Sequence, residues 1–240
     1  MLHRVPALKD NYIWLLETSK KRVVIVDPGE SKPVIDYLVN HHLTPVAIIL
    51  THHHKDHIDG VMALLQHYRT IKVYGPLEVP LPITHISDKA EFFIDEQLFN
   101  IIPVPGHTLG HIAYYCAPYL FCGDTLFSAG CGSVFERSYQ PMYQSLNKLK
   151  QLPNDTIVCP AHEYTINNLQ FALTILPDDR LIKTYYQQIR NQLITLPTTM
   201  LKEKQINLFL RCDEQNLQHH FNISNALDLF TFLRIQKDNF

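Results

Sequence analysis

The sequence predicts an α/β domain over residues 1–164, built from two mixed β-sheets with helices outside, and a helical domain over 165–240. Short, β-rich apolar segments alternate with helical patterns as far as about residue 163. Two pairs of closely spaced strand segments, within 13–26 and 113–122, are typical of antiparallel neighbours, and they favour mixed sheets over a purely parallel one. Beyond residue 165 the sequence has no strand pattern.

The elements of the α/β domain follow from local composition. Each predicted strand is a short run rich in β-branched, aromatic or other apolar residues. These strands are 13–16, 23–26, 46–50, 72–74, 99–104, 113–115, 119–122 and 156–159. Helical patterns separate several of them, at 32–40, 60–68 and 141–151, and the last begins with a proline, which suits a first helical turn.

Helical patterns make up the rest of the chain. The segment 166–176 is ended by Pro177, and Asp178-Asp179 offers carboxylates to the N-terminus of a helix that runs to about residue 193. Ser224 can cap a last helix over 225–237, which carries leucine and phenylalanine side chains on one face. No flexible linker precedes this segment, so we expect it to form a small domain that follows the α/β domain directly.

The composition excludes several classes of function. With 21 Lys and Arg against 23 Asp and Glu, the net charge is −2, which argues against nucleic-acid binding driven by bulk charge. The apolar runs are far shorter than the about 20 residues that cross a bilayer, so no membrane partner is expected. The five cysteines include no C-x-x-C pair, and the N-terminus lacks a basic segment followed by an apolar one. We therefore expect a cytoplasmic protein, and we expect it to be a monomer.

Histidine is unevenly distributed in the chain. Of the 14 histidines, four lie within the six residues His52–His57, together with Asp56. This cluster follows the predicted strand 46–50, and strand ends that open into loops are where α/β proteins place ligands. So many imidazoles in one loop would repel each other on protonation unless they held a metal ion, which binds the neutral ring.

Further metal-ligand residues follow other predicted strands in the same way. His107, Asp124 and His162 each come after a β-like segment. The candidate ligands are therefore His52, His54, Asp56, His57, His107, Asp124 and His162. A single catalytic zinc takes three protein ligands and a water, so this set fits two ions that share a bridging carboxylate. Such ligands suit two divalent ions, with Zn²⁺ expected first and iron or manganese as alternatives.

These residues carry a family resemblance. The motif T-H-x-H-x-D-H at Thr51–His57, with His107, Asp124 and His162 following in order, resembles the metallo-β-lactamase superfamily. That resemblance implies a four-layer αββα sandwich.

Later motifs narrow the resemblance. The turn 130–132 (GCG) and the segments 161–165 (AHEYT), 168–172 (NLQFA) and 233–238 (LRIQKD) are similar to the hydroxyacylglutathione hydrolase, or glyoxalase II, family. The similarity spans essentially the whole chain, including the helical C-terminal domain, which is expected to bind substrate.

The resemblance implies a role for each candidate ligand. One ion is expected on His52, His54 and His107, the other on Asp56, His57 and His162, with Asp124 bridging them. Asp56 is also expected to orient the metal-bridging hydroxide. The implied reaction is hydrolysis of S-D-lactoylglutathione, an S-(2-hydroxyacyl)glutathione, to glutathione and D-lactate, the second step of methylglyoxal detoxification.

The resemblance also implies which residues bind the glutathione part of this small-molecule thioester. They are Ser133, Phe135, Tyr164, Arg234 and Lys237. Ser133 stands where the family commonly has Lys or Arg, and Phe135 lacks the hydroxyl of the Tyr found in some members. On spacing alone, Arg234 and Lys237 lie on one face near the C-terminus of the last helix, where the helix dipole by itself favours cations.

Other functions are compatible with parts of the pattern. Another metallo-β-lactamase-fold hydrolase, a phosphodiesterase or a lactonase, is one alternative, and a mononuclear-iron persulfide dioxygenase is another. The near-neutral charge argues against a nuclease. A non-catalytic binding protein that keeps the fold would have lost ligands, whereas all seven are present.

Overall fold

The computed structural model describes residues 1–135 and 138–240. By its internal contacts the chain divides into two compact units. The first unit is Met1–Pro103 with Thr108–Gly123, and the second is Val104–His107 with Asp124–Phe240.

The first unit begins with a mixed sheet whose strands lie in sequence order. They are β1 (Leu2–Ala7), β2 (Asn11–Ser19), β3 (Arg22–Val26), β4 (Thr44–Ile49), β5 (Lys72–Gly75) and β6 (Thr84–His85). Strands β1 to β3 pair antiparallel, and β3 to β6 pair parallel. The predicted mixed sheet is therefore confirmed. Strand β1 was not predicted, because its mixed sequence LHRVPA does not form an apolar run.

Helices cover this sheet, and their apolar residues form its core. They are α1 (Ser31–His41), α2 (Lys55–Ile58) and α3 (Val61–His67). Val34 and Leu38 of α1 belong to one buried cluster with Ile25 and Ile48 of the sheet. Burying a side chain of this size stabilises the fold by about 1.5–3 kcal/mol, so the cluster anchors β3 and β4 firmly. The ends of these two strands carry the first group of site residues.

Four more strands of the first unit run antiparallel. They are β7 (Glu91–Ile94), β8 (Gln97–Pro103), β9 (Ile112–Cys116) and β10 (Tyr119–Gly123), and each pairs with the next. The predicted antiparallel pair within 113–122 is thus confirmed as β9 and β10. Phe99, Tyr114 and Phe121 are fully buried on these strands.

The second unit combines two short strand pairs with helices. The pairs are β11 (Leu126–Phe127) with β12 (Gly130–Cys131), and β13 (Ile157–Pro160) with β14 (Thr198–Thr199). The helices are α4 (Tyr139–Lys150), α5 (Thr165–Ile175), α6 (Arg180–Ile189), α7 (Met200–Ile206), α8 (Gln215–His220) and α9 (Ala226–Asp238). A 3₁₀ turn, Leu208–Leu210, follows α7. Phe171, Phe209 and Phe230 are buried between these elements.

The helix ends partly follow the sequence prediction. Asp179 caps α6 as expected, because its side chain accepts from the backbone N–H of Leu181 and Ile182. The helix ends at Ile189 and not near residue 193. The cap of α9 is Asn225, which accepts from the Asp228 N–H, and not Ser224. Asparagine and serine are about equally good caps, so local sequence could not separate these neighbouring positions.

The expectation of no strand beyond residue 165 was wrong. Strand β14 pairs antiparallel with β13, with Thr198 opposite Val158 and Thr199 opposite Ile157. Two residues are too few to show an alternating pattern, and the pairing partner lies 40 positions earlier in the chain. None of the helices in residues 1–135 and 138–240 has the length and apolar character that a membrane span requires.

Candidate metal centre

The first group of site residues follows the end of β4. His52 and His57 are completely buried, whereas His54 and Asp56 are partly exposed. His54 is the N-cap of the short helix α2, and this helix turns the chain so that Asp56 and His57 follow within one turn. The motif therefore folds as a loop and one helical turn.

Asp27, at the end of β3, organises this group. Its Oδ1 accepts from the Thr51 N–H at 2.8 Å and its Oδ2 from the Thr51 hydroxyl at 2.7 Å. The same Oδ2 lies 3.1 Å from Nδ1 of His57. A carboxylate accepts here, so His57 carries its proton on Nδ1 and its Nε2 keeps a lone pair. That Nε2 lies 3.4 Å from Oδ2 of Asp56.

A hydrogen-bond chain also sets the tautomer of His52. The Thr51 hydroxyl donates to Asp27, so its oxygen accepts from Nδ1–H of His52 at 3.0 Å. Nε2 of His52 is then directed at Nδ1 of His54, 3.1 Å away. The ring of His111 stacks on that of His52 with centroids 4.6 Å apart, which fixes the plane of the His52 ring.

Asp56 is held by a residue from β2. Nδ2 of Asn11 donates to Oδ2 of Asp56 at 3.0 Å and to its backbone carbonyl at 3.3 Å. Gly29 faces the same carbonyl, and a Cβ at that position would overlap the Asp56 oxygen. The close approach of these two backbone segments therefore requires glycine.

The second unit brings the remaining candidate ligands together. The Ser133 carbonyl lies 3.0 Å from Nδ1 of His107; a carbonyl only accepts, so Nδ1 carries the proton. Nε2 of His107 lies 3.3 Å from Oδ2 of Asp124, and Nε2 of His162 lies 3.4 Å from Oδ1. Asp124 thus has one imidazole at each of its oxygens.

These spacings fit a metal ion. Two atoms that bind one zinc at 2.0–2.1 Å with tetrahedral angles lie about 3.3 Å apart. The donor pairs described above are separated by 3.1–3.4 Å, and they are imidazole nitrogens and carboxylate oxygens only. For three of these histidines, His57, His52 and His107, the other ring nitrogen, Nδ1, is hydrogen-bonded to Asp27, Thr51 and Ser133 respectively, as is usual for histidines that bind metal.

A cavity of about 180 Å³ in the second unit contains most of the predicted substrate-binding residues. It is lined by Phe127, Cys131, Ser133, Tyr164, Asn167, Asn168, Arg234 and Lys237. The Tyr164 ring stacks on that of His162, with centroids 4.8 Å apart. Phe135 lies outside this lining; its side chain is 66 % exposed, and its ring is 5.3 Å from that of His107.

The two cations of this cavity differ in their environment. Arg234 is 3 % exposed; its Nη1 donates to the Cys131 carbonyl at 3.0 Å, and Nε and Nη2 donate to Oδ1 of Asp238. Nζ of Lys237 donates to Oδ1 of Asn167 at 2.5 Å. Burial, and then the charge of Arg234, lower the pKa of Lys237 to about 8.

Comparison with known proteins identifies the family. Residues 8–162 match the family model described as Metallo-beta-lactamase superfamily, and residues 163–240 match Hydroxyacylglutathione hydrolase C-terminus. A protein named hydroxyacylglutathione hydrolase from Hamiltonella defensa is 52 % identical over 100 % of this chain and 99 % of its own. One of the same name from Serratia proteamaculans is 49 % identical over 98 % of both. The chain belongs to the hydroxyacylglutathione hydrolase family.

Solved structures show the same fold. The B3 metallo-β-lactamase BLEG-1 has a TM-score of 0.67 and 25 % identity, over 88 % of this chain and 99 % of its own. ETHE1 from Myxococcus xanthus has a TM-score of 0.71 and 21 % identity, over 98 % and 90 %. The predicted metallo-β-lactamase fold with a helical C-terminal segment is confirmed.

Membership of the hydroxyacylglutathione hydrolase family confirms the prediction of an enzyme that hydrolyses thioesters. The metallo-β-lactamase fold, together with the His and Asp clusters of the two units, marks a site for divalent metal. Asp27 and Asn11 contact candidate ligands but are not among the site residues predicted from the sequence. For Asp27 a signal exists, because it is a carboxylate at a strand end, directly before Pro28-Gly29.

Proposed function

We propose that this chain hydrolyses S-D-lactoylglutathione to glutathione and D-lactate, the second step of methylglyoxal detoxification. Residues 1–164 act as the catalytic domain and 165–240 as the helical substrate-binding domain. The observation that carries the proposal is the similarity of the whole chain to proteins named hydroxyacylglutathione hydrolase. The contacts of His57 and His107 support the metal site that this reaction needs, because each Nδ1 is bonded by the chain and each Nε2 faces a carboxylate. The protein acts as a cytoplasmic monomer without nucleic-acid or membrane partners.

Two divalent ions are the proposed cofactors, with zinc first and iron or manganese as alternatives. His52, His54 and His107 hold one ion, Asp56, His57 and His162 hold the other, and Asp124 is shared. When bound, the ions lower the pKa of a water molecule and polarise the thioester carbonyl. One oxygen of Asp124 faces His107, a proposed ligand of the first ion, and the other faces His162, a proposed ligand of the second. This arrangement supports the proposal that Asp124 is shared.

The carboxylate of Asp56 orients the attacking water. Asn11 donates to its Oδ2, which limits the rotation of the carboxylate. A fixed acceptor can hold one water proton so that an oxygen lone pair faces the thioester carbon, which is the alignment that attack requires. The leaving thiol has a pKa near 8.5, so departure as thiolate at neutral pH needs no strong general acid.

The glutathione part of the substrate is bound by Ser133, Phe135, Tyr164, Arg234 and Lys237. Lys237 supplies an ammonium for a glutathione carboxylate, and Ser133 and Tyr164 supply hydroxyl groups in the same cavity. Four of the five N–H groups of Arg234 are donated to Cys131 and Asp238, and the remaining one, on Nη2, is proposed for substrate. Phe135 contributes an exposed apolar ring.

The deciding experiment is the initial rate of metal-analysed protein on S-D-lactoylglutathione. A thioester with the same D-lactoyl group on a small neutral thiol is the matched control, because it tests chemistry without the glutathione cavity. We expect rapid hydrolysis of the glutathione thioester, slow hydrolysis of the control, and about two ions per chain. A chromogenic phosphodiester, a lactone and glutathione persulfide with oxygen monitoring complete the panel; preference for any of these over the thioester contradicts the proposal.

A further inference from the structure

A buried carboxylate of the helical segment holds the hairpin that carries Asp124. Glu203 on α7 is completely buried. Its Oε1 accepts from the hydroxyls of Ser128 at 2.8 Å and Thr198 at 2.9 Å. Its Oε2 accepts from the N–H of Ala129 at 2.8 Å and from Nδ2 of Asn207 at 3.2 Å. A carboxylate buried at this depth is retained only with such partners.

Two of these donors belong to the turn of the hairpin. Ser128 and Ala129 connect β11 to β12, in which Phe127 faces Gly130 and Leu126 faces Cys131. Ala129 has a φ of 56°, a left-handed conformation that residues with a Cβ rarely adopt. The bond from the Ala129 N–H to Glu203 therefore supports a backbone conformation that the turn would not favour alone.

Two asparagines bind the same hairpin. Nδ2 of Asn207 donates to the carbonyls of Phe127 at 3.1 Å and Gly130 at 2.9 Å, and Nδ2 of Asn168 donates to the Ser128 carbonyl at 3.0 Å. Asn207 is itself bonded to Glu203, so the carboxylate orients one of the two amides. The turn end of the hairpin is thus fixed from the helical segment.

The opposite end of the hairpin adjoins one proposed ligand, Asp124. Asp124 and Thr125 lead directly into β11, and the Gly132 N–H after β12 donates to the Thr125 carbonyl at 3.2 Å. A Cβ on Gly132 would overlap the Asp124 carbonyl oxygen, so the two ends are in close contact. The next residue, Ser133, accepts from Nδ1 of His107. The hairpin therefore determines both the position of Asp124 and the tautomer of His107.

We infer that Glu203 is a positioning residue for the metal centre, acting through the β11–β12 hairpin on Asp124 and His107. This inference rests on the proposed function for the ligand roles of those two residues. Loss of a partner that orients a metal ligand typically weakens metal affinity 10–100-fold. Glu203→Ala removes all four acceptor contacts but no bond to a proposed ligand itself, so we expect a loss at the lower end of that range, about 10-fold.

Glu203→Gln is the conservative variant. Its amide oxygen can accept from Ala129 and Asn207, and its NH₂ can donate to the hydroxyls of Ser128 and Thr198, which accept as well as donate. We therefore expect the affinity of Glu203→Gln for metal to stay within about threefold of that of the parent protein. Such a change is smaller than the 10–100-fold effect of a lost partner.

The test is competition for Zn²⁺ between the full-length protein and a chromogenic chelator, with KM and kcat measured beside it. Ile182→Ala is the matched control, because Ile182 is fully buried on α6 of the same unit. It should lower Tm and leave the affinity for Zn²⁺ and KM unchanged. If Glu203→Ala binds Zn²⁺ as tightly as Ile182→Ala at equal loss of Tm, the role of Glu203 is purely structural and the inference is overturned.

Two further variants keep the outcomes distinct. If Glu203→Ala does not fold, Ser128→Ala is the variant that tests the inference, since it removes one hydrogen bond between Glu203 and the turn. Weaker Zn²⁺ binding by Ser128→Ala supports the inference, and parental binding overturns it. Asp124→Ala tests the ligand assignment itself. Parental Zn²⁺ binding by Asp124→Ala overturns the proposed metal centre and the inference together, whereas loss in Asp124→Ala with none in Glu203→Ala overturns the role of Glu203 alone.

Discussion

At the scale of single residues, the hydrogen-bond acceptors of the histidine rings determine which ring nitrogen keeps a lone pair. Each histidine has two ring nitrogens, and only a nitrogen with a lone pair can bind metal. Asp27 takes the Nδ1–H of His57, and the Ser133 carbonyl takes that of His107. Each of these rings is therefore left with Nε2 as the nitrogen that is proposed to bind metal.

Replacement of Asp27 tests this arrangement. In Asp27→Asn one oxygen becomes an NH₂ group, which cannot accept from Thr51 or His57. We expect zinc affinity to fall 10–100-fold, with a parallel loss of kcat. The measurement is chelator competition, and Asp36→Asn, on an exposed helix position, serves as control. Parental affinity in Asp27→Asn would contradict the role given to this carboxylate.

The pKa of Lys237 predicts a pH dependence of substrate binding. Burial and the charge of Arg234 lower this pKa to about 8, so the ammonium is charged below that pH and neutral above it. We expect KM for the anionic glutathione thioester to rise as pH increases through about 8, while kcat changes little, because Lys237 is proposed to bind the part of the substrate remote from the reaction.

Lys237→Met is the control for that pH profile. The variant keeps the apolar stem but has no titrating group, so its KM should be high already at pH 7 and should show no step near 8. A step of the same size in Lys237→Met would assign the titration to another group.

At the scale of elements, strand ends and helix caps place the site residues. The cluster His52–His57 lies in the loop at the end of β4, a largely buried strand. The apolar run 46–50 predicts this strand, and therefore predicts where the cluster lies. The boundaries of helices were predicted less well. The last helix is capped by Asn225 where Ser224 was expected, and both residue types satisfy the same backbone donors.

Capping of α9 gives a direct comparison of the two positions. Asn225→Ala removes the acceptor for the Asp228 N–H, so we expect a loss of about 1 kcal/mol in the free energy of unfolding. Ser224→Ala is the neighbouring control and should change it by less than about 0.5 kcal/mol. Urea unfolding of the metal-loaded proteins measures both. Equal losses in the two variants would mean that the cap is shared.

At the scale of the whole molecule, metal binding is linked to stability. Ions that bind only the folded chain stabilise it by RT ln(1 + [L]/Kd), which is about 4.1 kcal/mol at 1,000 times Kd. We therefore expect chelation to lower Tm by several degrees and added Zn²⁺ to restore it. Asp124→Ala should have nearly the same Tm with and without Zn²⁺. If chelation left the Tm of the parent protein unchanged, that result would contradict a metal centre formed by the folded chain.

Fold class, family and the set of candidate ligands could be predicted from the amino-acid sequence. Periodicity and side-chain type are local properties, so a motif such as Thr51–His57 can be recognised without knowing its neighbours in space. The residues that hydrogen-bond to those ligands or hold them in place could be identified only from the folded chain. Asp27 bonds a residue 24 positions away, and Glu203 bonds one 75 positions away. A carboxylate acquires such a role from the donors that folding brings to it, and these leave no local pattern in the chain.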